Sequence, residues 1–401
     1  MRVLVLASFF PKPGNPAMGV WALRQAEALQ RSGAEVAVVS LTSWVPRLLG
    51  RGRLAAWARC PPAHRWSEIP VVYPRWPVYD HGPVRALLER RPGVALRGAW
   101  PAAREGVTAR ATAFAPDVVH AEGSLVNGWV GTRLLGHINA SLVVHEHDND
   151  EVSDPRPARR RHLRSVVAMT HTVVVPSHEL ADRVRAAAPG ASVTVIPNGA
   201  DLTPRTALAA SRPAAWDDRA VVLAAAGFLP RKRLPTLVEA FALVAPGHPE
   251  AVLRIIGDGP DRPAVEATID QLRLADRVEL AGRRSHPEVL QEMAWADVFA
   301  LPSVNEPFGV VFLEALGAGT PVICTADAGA TDVIEHGVHG LVVPPDDTAA
   351  VAGAIARLLE DRSLRERMGA AGREHVAAHL TWDAHGRALA AVLDQARAST
   401  R

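Results

Sequence analysis

Two carboxylates, Glu306 and Glu314, hold the most specific chemical pattern in this 401-residue chain. They lie in Asn305-Glu306-Pro307-Phe308-Gly309-Val310-Val311-Phe312-Leu313-Glu314-Ala315. Glu306 stands on a loop just ahead of an apolar, helix-forming run, and Glu314 lies about two turns further on. Gly309 at the first turn lets a ligand approach the backbone closely. The N–H groups of Gly309, Val310 and Val311 then form a phosphate site, helped by the helix dipole. A carboxylate inside an otherwise apolar helix needs a partner, and ribose hydroxyls are good ones. The residues alone leave a second reading open, in which Glu306 caps the helix and Glu314 pairs with a nearby Arg.

Positive charge is supplied almost entirely by arginine: 42 Arg against two Lys, Lys12 and Lys232. Lys232 falls in a basic loop, 227–233, that follows a strand-like run. A compact ammonium on a flexible stem suits a phosphate point charge, although such a loop is also consistent with simple solvation. His145-Glu146-His147-Asp148-Asn149-Asp150 follows another strand-like run and has metal-ligand residue types. Metal binding, orientation of an acceptor by His145, His147 or Asp148, and an ordinary polar loop are the three readings of it. No Gly-x-x-x-x-Gly-Lys-Ser/Thr loop, Gly-x-Gly-x-x-Gly or Gly-x-Ser-x-Gly occurs, which removes support for NTPase, dehydrogenase and serine-hydrolase chemistry.

The elements that must position these residues alternate strand and helix. Val3–Ala7 is a continuous apolar run, as expected for a strand covered on both faces. A loop rich in Pro and Gly leads to Gly19. Val20–Arg31 then places Val20, Leu23, Ala26 and Leu29 on one helical face, with Gly33 just beyond. Further strands are expected at 36–39, 117–120, 142–145 and 172–175. In the second half they are expected at 221–226, 252–256, 278–280, 298–301, 321–324 and 341–343. Helices are expected from about 235 to 244, from about 308, and over 348–398 with a break near Thr381-Trp382. Alternation of this kind predicts parallel sheets with helices on both faces, an α/β architecture of two Rossmann-like domains across a cleft. Ligands then belong at the carboxyl ends of the strands.

Length fits two to three domains, and 48% apolar content excludes extensive disorder. Cys60 and Cys324 fit a reducing, cytoplasmic compartment rather than a disulfide scaffold. No apolar run is long enough for a spanning helix, and the short apolar opening reads as a first strand rather than a signal. The net charge of +2 is too small for a nucleic-acid enzyme. It hides an asymmetry: residues 1–200 carry 24 basic and 15 acidic residues, the remainder 20 and 27. The Pro-Asn-Gly turn at 197–199 marks the boundary. Residues 44–104 interrupt the rhythm with 11 Arg and five of the ten Trp. Such a mixture suits peripheral contact with an anionic membrane or substrate, or an ordinary solvated insertion.

The Glu-x7-Glu stretch, with its Pro-Phe-Gly and Leu-Glu-Ala neighbours, resembles that of retaining glycosyltransferases of family 4. The resemblance runs from residue 1 to about 398. It includes the basic loop, Ile255-Ile256-Gly257-Asp258-Gly259-Pro260, Val278-Glu279-Leu280-Ala281-Gly282, Leu301-Pro302-Ser303 and Gly340-Leu341-Val342-Val343-Pro344-Pro345. The N-terminal half is more distantly similar to the teichuronic-acid branch. The resemblance implies a GT-B fold with an acceptor domain at 1–200, a donor domain at 201–380, and a C-terminal helix, 381–401, returning to the first.

The resemblance further implies transfer of a sugar from a UDP- or GDP-sugar to an acceptor hydroxyl with retention, without metal or other cofactor. The acceptor would be a glycan precursor, a lipid-linked glycan or a natural product. A sugar-nucleotide-binding protein without activity, or an epimerase or phosphorylase on the same fold, are the alternatives. Glu314 would hold the ribose, and Glu306 would lie beside the donor sugar. Gly309, Val310 and Val311, with Phe308 alongside, would meet the diphosphate. Lys232 would neutralise it, Arg283 would meet the base, and Gly19 and His120 would approach the donor from the first domain. One departure is clear: the family's Gly-Arg is here Gly227-Phe228, and Arg231 or Arg233 is the replacement charge.

Overall fold

A computed structural model of the protein describes residues 1–16, 18–46, 55–78, 82–147, 149–202 and 212–399. The chain divides into two compact units, Met1–Ile196 with Trp382–Arg401, and Pro197–Thr381. Among the described residues no helix is long and apolar enough to cross a membrane.

The first unit contains β1 (Arg2–Leu6), β2 (Glu35–Val39), β3 (Thr42–Ser43), β4 (Ala63–Trp66), β5 (Ile69–Val72), β6 (Arg75–Trp76), β7 (Val118–Glu122), β8 (Ser141–His145), β9 (Thr172–Val175) and β10 (Val193–Val195). The main sheet has the order β10-β9-β8-β7-β1-β2-β5-β4. Neighbours run parallel except β4 and β5. Chain order reverses between β1 and β7, so the loops leaving those two strands border the place where an open α/β sheet binds ligands.

Residues 44–104, read in the sequence as an interruption, contain β4 to β6 and the start of a helix, Pro92–Phe114. That helix runs through Pro101 because its buried face is continuous, with Leu96, Ala99, Ala103, Val107, Ala111 and Phe114 in the core. Burial along a long helix outweighs the local cost of proline, about 3 kcal/mol. Trp76 is buried, whereas Trp44 is exposed. The terminal helix Trp382–Ala398 packs on the helix Val20–Arg31 within this unit, close enough at Gly386 that a Cβ there would lie 2.7 Å from Ala28.

The second unit contains β11 (Ala220–Ala225), β12 (Ala251–Ile256), β13 (Val278–Gly282), β14 (Val298–Ala300), β15 (Val322–Thr325) and β16 (Gly340–Val343). Its sheet order is β13-β12-β11-β14-β15-β16, parallel throughout. This is the doubly wound Rossmann order, with its switch point between β11 and β14. Its core is one continuous cluster in which Val222, Leu237, Phe241, Phe299, Phe312 and Leu316 are buried. Both cysteines are free and buried, Cys324 within β15.

Candidate functional site

The loops that leave β11 and β14 carry Arg231, Lys232 and Glu306. The loop after β11 folds into a 3-10 turn, Pro230–Lys232, and the backbone N–H of Val304 donates to the Arg231 carbonyl at 2.8 Å, tying the two loops together. Lys232 is buried, and its Nζ donates to Glu306 Oε2. Arg231 Nη1 approaches the same oxygen at 3.3 Å. Two cations therefore share one carboxylate, leaving an excess of one positive charge at the switch point. Burial holds the Lys232 ammonium below its ordinary pKa, with Glu306 opposing that shift and Arg231 adding to it. Arg233 points elsewhere, with its Nε 2.7 Å from Asp346 Oδ1. Phe228, standing where the family has its arginine, is fully buried in the core.

Glu306 does not cap the helix that follows. The helix Val310–Ala318 starts at Gly309, which has φ +84° and no side-chain cap. A Cβ on Gly309 would lie 2.7 Å from the Phe312 ring and 3.2 Å from Glu306 Cγ, so glycine is required by conformation and by space. The first N–H groups of the helix have no intrahelical acceptor, and Val310 and Val311 are only partly buried. Phe308 is 2% exposed and belongs to the core, so its side chain is not offered to a ligand. Glu314 finds a histidine rather than an arginine: His286 Nε2 lies 2.7 Å from Glu314 Oε1. Arg283, just past Gly282, is 73% exposed, with its Nε 3.8 Å from Asp258.

In the first unit, Gly19 has φ +63° and starts the helix Val20–Arg31. A Cβ there would lie 2.3 Å from the Phe9 carbonyl oxygen. His120 does not end its strand as the sequence suggested. β7 continues to Glu122, and the His120 ring is wholly buried. His145 is buried as well, at the end of β8, which removes it from contact with an acceptor. Asp148 lies outside the described residues. His147 alone of these histidines is partly exposed.

These rings surround a group that sequence reading missed. Gln25 Nε2 lies 2.9 Å from Glu122 Oε1, 3.1 Å from His145 Nδ1 and 3.4 Å from His120 Nε2. Its two N–H groups face three acceptors, and Gln25 Oε1, His120 Nδ1 and His145 Nε2 have no hydrogen-bond partner. His120, Glu122 and His145 offer ligand-type atoms within 4.8 Å of one another, but the Gln25 amide nitrogen already occupies the point where they converge. Burial is the chief cause of depressed pKa values at His120 and His145. Glu122 is held below the ordinary carboxylate range because its histidine neighbours overcome its desolvation. One signal could have found Glu122: it stands two residues after His120 in a strand, on the same face.

Two family models match the chain, Glycosyltransferase Family 4 over residues 18–204 and Glycosyl transferases group 1 over residues 210–375. The chain belongs to glycosyltransferase family 4. Among its relatives is a GDP-mannose-dependent alpha-(1-6)-phosphatidylinositol monomannoside mannosyltransferase of Mycobacterium tuberculosis, 35% identical over 57% of this chain and 62% of the relative. Another is an alpha-D-kanosaminyltransferase of Streptomyces kanamyceticus, 35% identical over 44% of this chain and 46% of the relative. The matched stretch thus spans less than two thirds of either relative. Two solved structures share the GT-B fold of this family-4 chain. Sucrose-phosphate synthase from Thermosynechococcus elongatus has a TM-score of 0.81 at 24% identity, covering 100% of both chains. Anabaena HepE in complex with UDP and glucose has a TM-score of 0.72 at 22% identity, covering 98% of this chain and 100% of the other.

Proposed function

We propose that this protein transfers a sugar from a nucleotide-diphosphate sugar to an acceptor hydroxyl with retention of configuration. The observation that carries this reading is the pair of cations, Lys232 and Arg231, gathered on Glu306 beside the Gly309 helix terminus at the β11/β14 switch point. Lys232 and Arg231 receive the diphosphate, and the Gly309, Val310 and Val311 N–H groups bind its oxygens. Glu314 holds the ribose, with His286 orienting its carboxylate. Glu306 holds Lys232 in place and lies beside the donor sugar. Arg283, on an open loop, meets the base.

The reaction is front-face. The bond from the anomeric carbon to the diphosphate oxygen breaks, and the acceptor oxygen bonds to that carbon on the same face. The acceptor proton passes to the departing diphosphate. The protein's contribution is stabilisation of charge on that leaving group by fixed cations and N–H dipoles, a preorganised arrangement. These positive groups carry the task without a metal ion. In the first unit, the partly exposed His147, fixed by Glu122, serves the acceptor.

The activities named for the relatives accord with a GDP- or UDP-sugar donor and with lipid-linked or natural-product acceptors. A cytoplasmic enzyme with peripheral membrane contact through 44–104 accords with the free cysteines and the exposed Trp44. The test is a panel of UDP- and GDP-sugars scored by thermal stabilisation and slow donor hydrolysis. One donor should raise Tm in the wild type and fail to do so in Lys232→Ala. A panel without any effect would overturn the reading.

A further inference from the structure

A cavity of about 550 Å³ in the first unit contains none of the residues proposed for the donor or acceptor, and one of its walls lies within the 44–104 segment, so its membrane arm rests on that reading. Arg91, Val94 and Arg97 from the helix Pro92–Phe114 and its N-cap form one wall. Arg161 from the helix Pro157–Val167 forms another, and Trp129 and Arg133 come from the helix Trp129–Leu134. No Asp or Glu lines it. Neighbouring arginines are paired: Arg85 with Glu89, and Arg156 and Arg159 with Asp154. Among the described residues the four arginines of the cavity have no carboxylate partner.

We infer that this cavity binds a phosphate group, carried by a lipid headgroup or by a free organophosphate. Four like charges in one concavity repel each other, and a dianion between them relieves that repulsion while accepting bidentate guanidinium hydrogen bonds. The site is partly pre-organised, since the Arg133 guanidinium sits 5.0 Å from the centre of the Trp129 ring. The field is felt locally as well. His162 beneath the cavity is depressed below its ordinary pKa first by burial and then by Arg159, Arg97 and Arg133, against its hydrogen bond to the Leu125 carbonyl. The helix Pro92–Phe114 has no acidic residue in its first turn, so its positive dipole end adds to the field. Val94 in the cavity wall is an exposed apolar residue, and so is Leu87, whose carbonyl accepts from the Arg91 N–H; both are suited to contact with acyl chains.

The inference stands apart from the donor reading, and its test keeps the two separable. Binding is measured to phosphatidylcholine vesicles with and without phosphatidylinositol, and to glycerol 3-phosphate in solution. The wild type should bind one or both phosphate-bearing probes, more weakly as salt rises. Vesicle binding dependent on phosphatidylinositol identifies a headgroup, whereas saturable binding of glycerol 3-phosphate alone identifies a soluble ligand. Arg97→Glu/Arg161→Glu should weaken that binding at least about tenfold, while thermal stabilisation by nucleotide sugar is unchanged. If the reversal variant does not fold, Arg97→Gln/Arg161→Gln serves with the same expectation. Absence of binding to both probes, or binding that the folded variant retains in full, overturns the inference.

Discussion

Glu122 Oε2 lies 2.6 Å from His147 Nε2, so the carboxylate accepts from Nε2–H and fixes the orientation of the ring. The other oxygen of Glu122 accepts from Gln25, which also reaches His145 and His120. The arrangement sets the neutral, buried rings of His120 and His145 beside an ionised carboxylate.

Acid should therefore destabilise the first unit in two stages. His120 and His145 have pKa values depressed by burial, so the unfolded chain takes up protons at these positions first. Stability is full above the ordinary histidine value of 6.5 and falls as pH drops below it. Glu122 is also depressed, so its contribution persists to the ordinary value of 4.5 and is lost on further acidification. Tm measured across this range should decline below about pH 6.5, and His145→Asn should flatten the first part of the decline. A Tm that holds constant from neutrality to about pH 5 contradicts this account.

Arg231 and Arg233 flank the same lysine but should differ sharply in effect. Arg231 shares Glu306 with Lys232, whereas Arg233 is committed to Asp346. Lys232→Ala should lower kcat by about 10²–10³-fold, the magnitude typical of losing one group that stabilises developing charge. Arg231→Ala should follow in the same direction, and Arg233→Ala should leave donor turnover within about threefold of wild type. Steady-state kinetics with the donor found in the panel decides this. Equal losses for Arg231→Ala and Arg233→Ala would remove Arg231 from its assigned place.

Glu314 and His286 should be coupled. Their hydrogen bond joins the first turn of one helix to the second turn of another. Glu314→Ala removes the proposed ribose acceptor and should raise the donor KM at least about tenfold, the size of one hydrogen bond to a charged group. His286→Ala leaves the carboxylate in place but unoriented, with a smaller rise. The double variant should resemble Glu314→Ala, because His286 acts through it. Fully additive losses would assign His286 a contact of its own.

What the sequence made legible was local. Period and flanking glycines placed β11, β12 and the helix Val310–Ala318 within a residue or two, and Gly309, read as a point of close approach, is the helix N-cap at φ +84°. The pairing of Lys232 with Glu306 spans 74 positions and that of His286 with Glu314 spans 28, so neither leaves a pattern in the chain. His120 was misread because a strand was ended at its last β-branched neighbour, although the ladder with β8 extends two residues further. Phe308 shows the converse: it adjoins the site in sequence, yet the core claims its ring.

Donor turnover should be indifferent to chelators. Lys232, Arg231 and the Gly309 helix terminus already place positive charge where the proposed reading puts the leaving diphosphate. A divalent ion at that point would sit beside two side-chain cations, with Glu306 already shared between them. EDTA should therefore leave kcat/KM unchanged within about twofold, while Lys232→Ala should not be rescued by added Mg²⁺ or Mn²⁺. Activity that disappears with EDTA and returns on addition of Mn²⁺ would show that the charge is carried by a metal instead. Running the assay in parallel on wild type and Lys232→Ala separates loss of the lysine from loss of an ion.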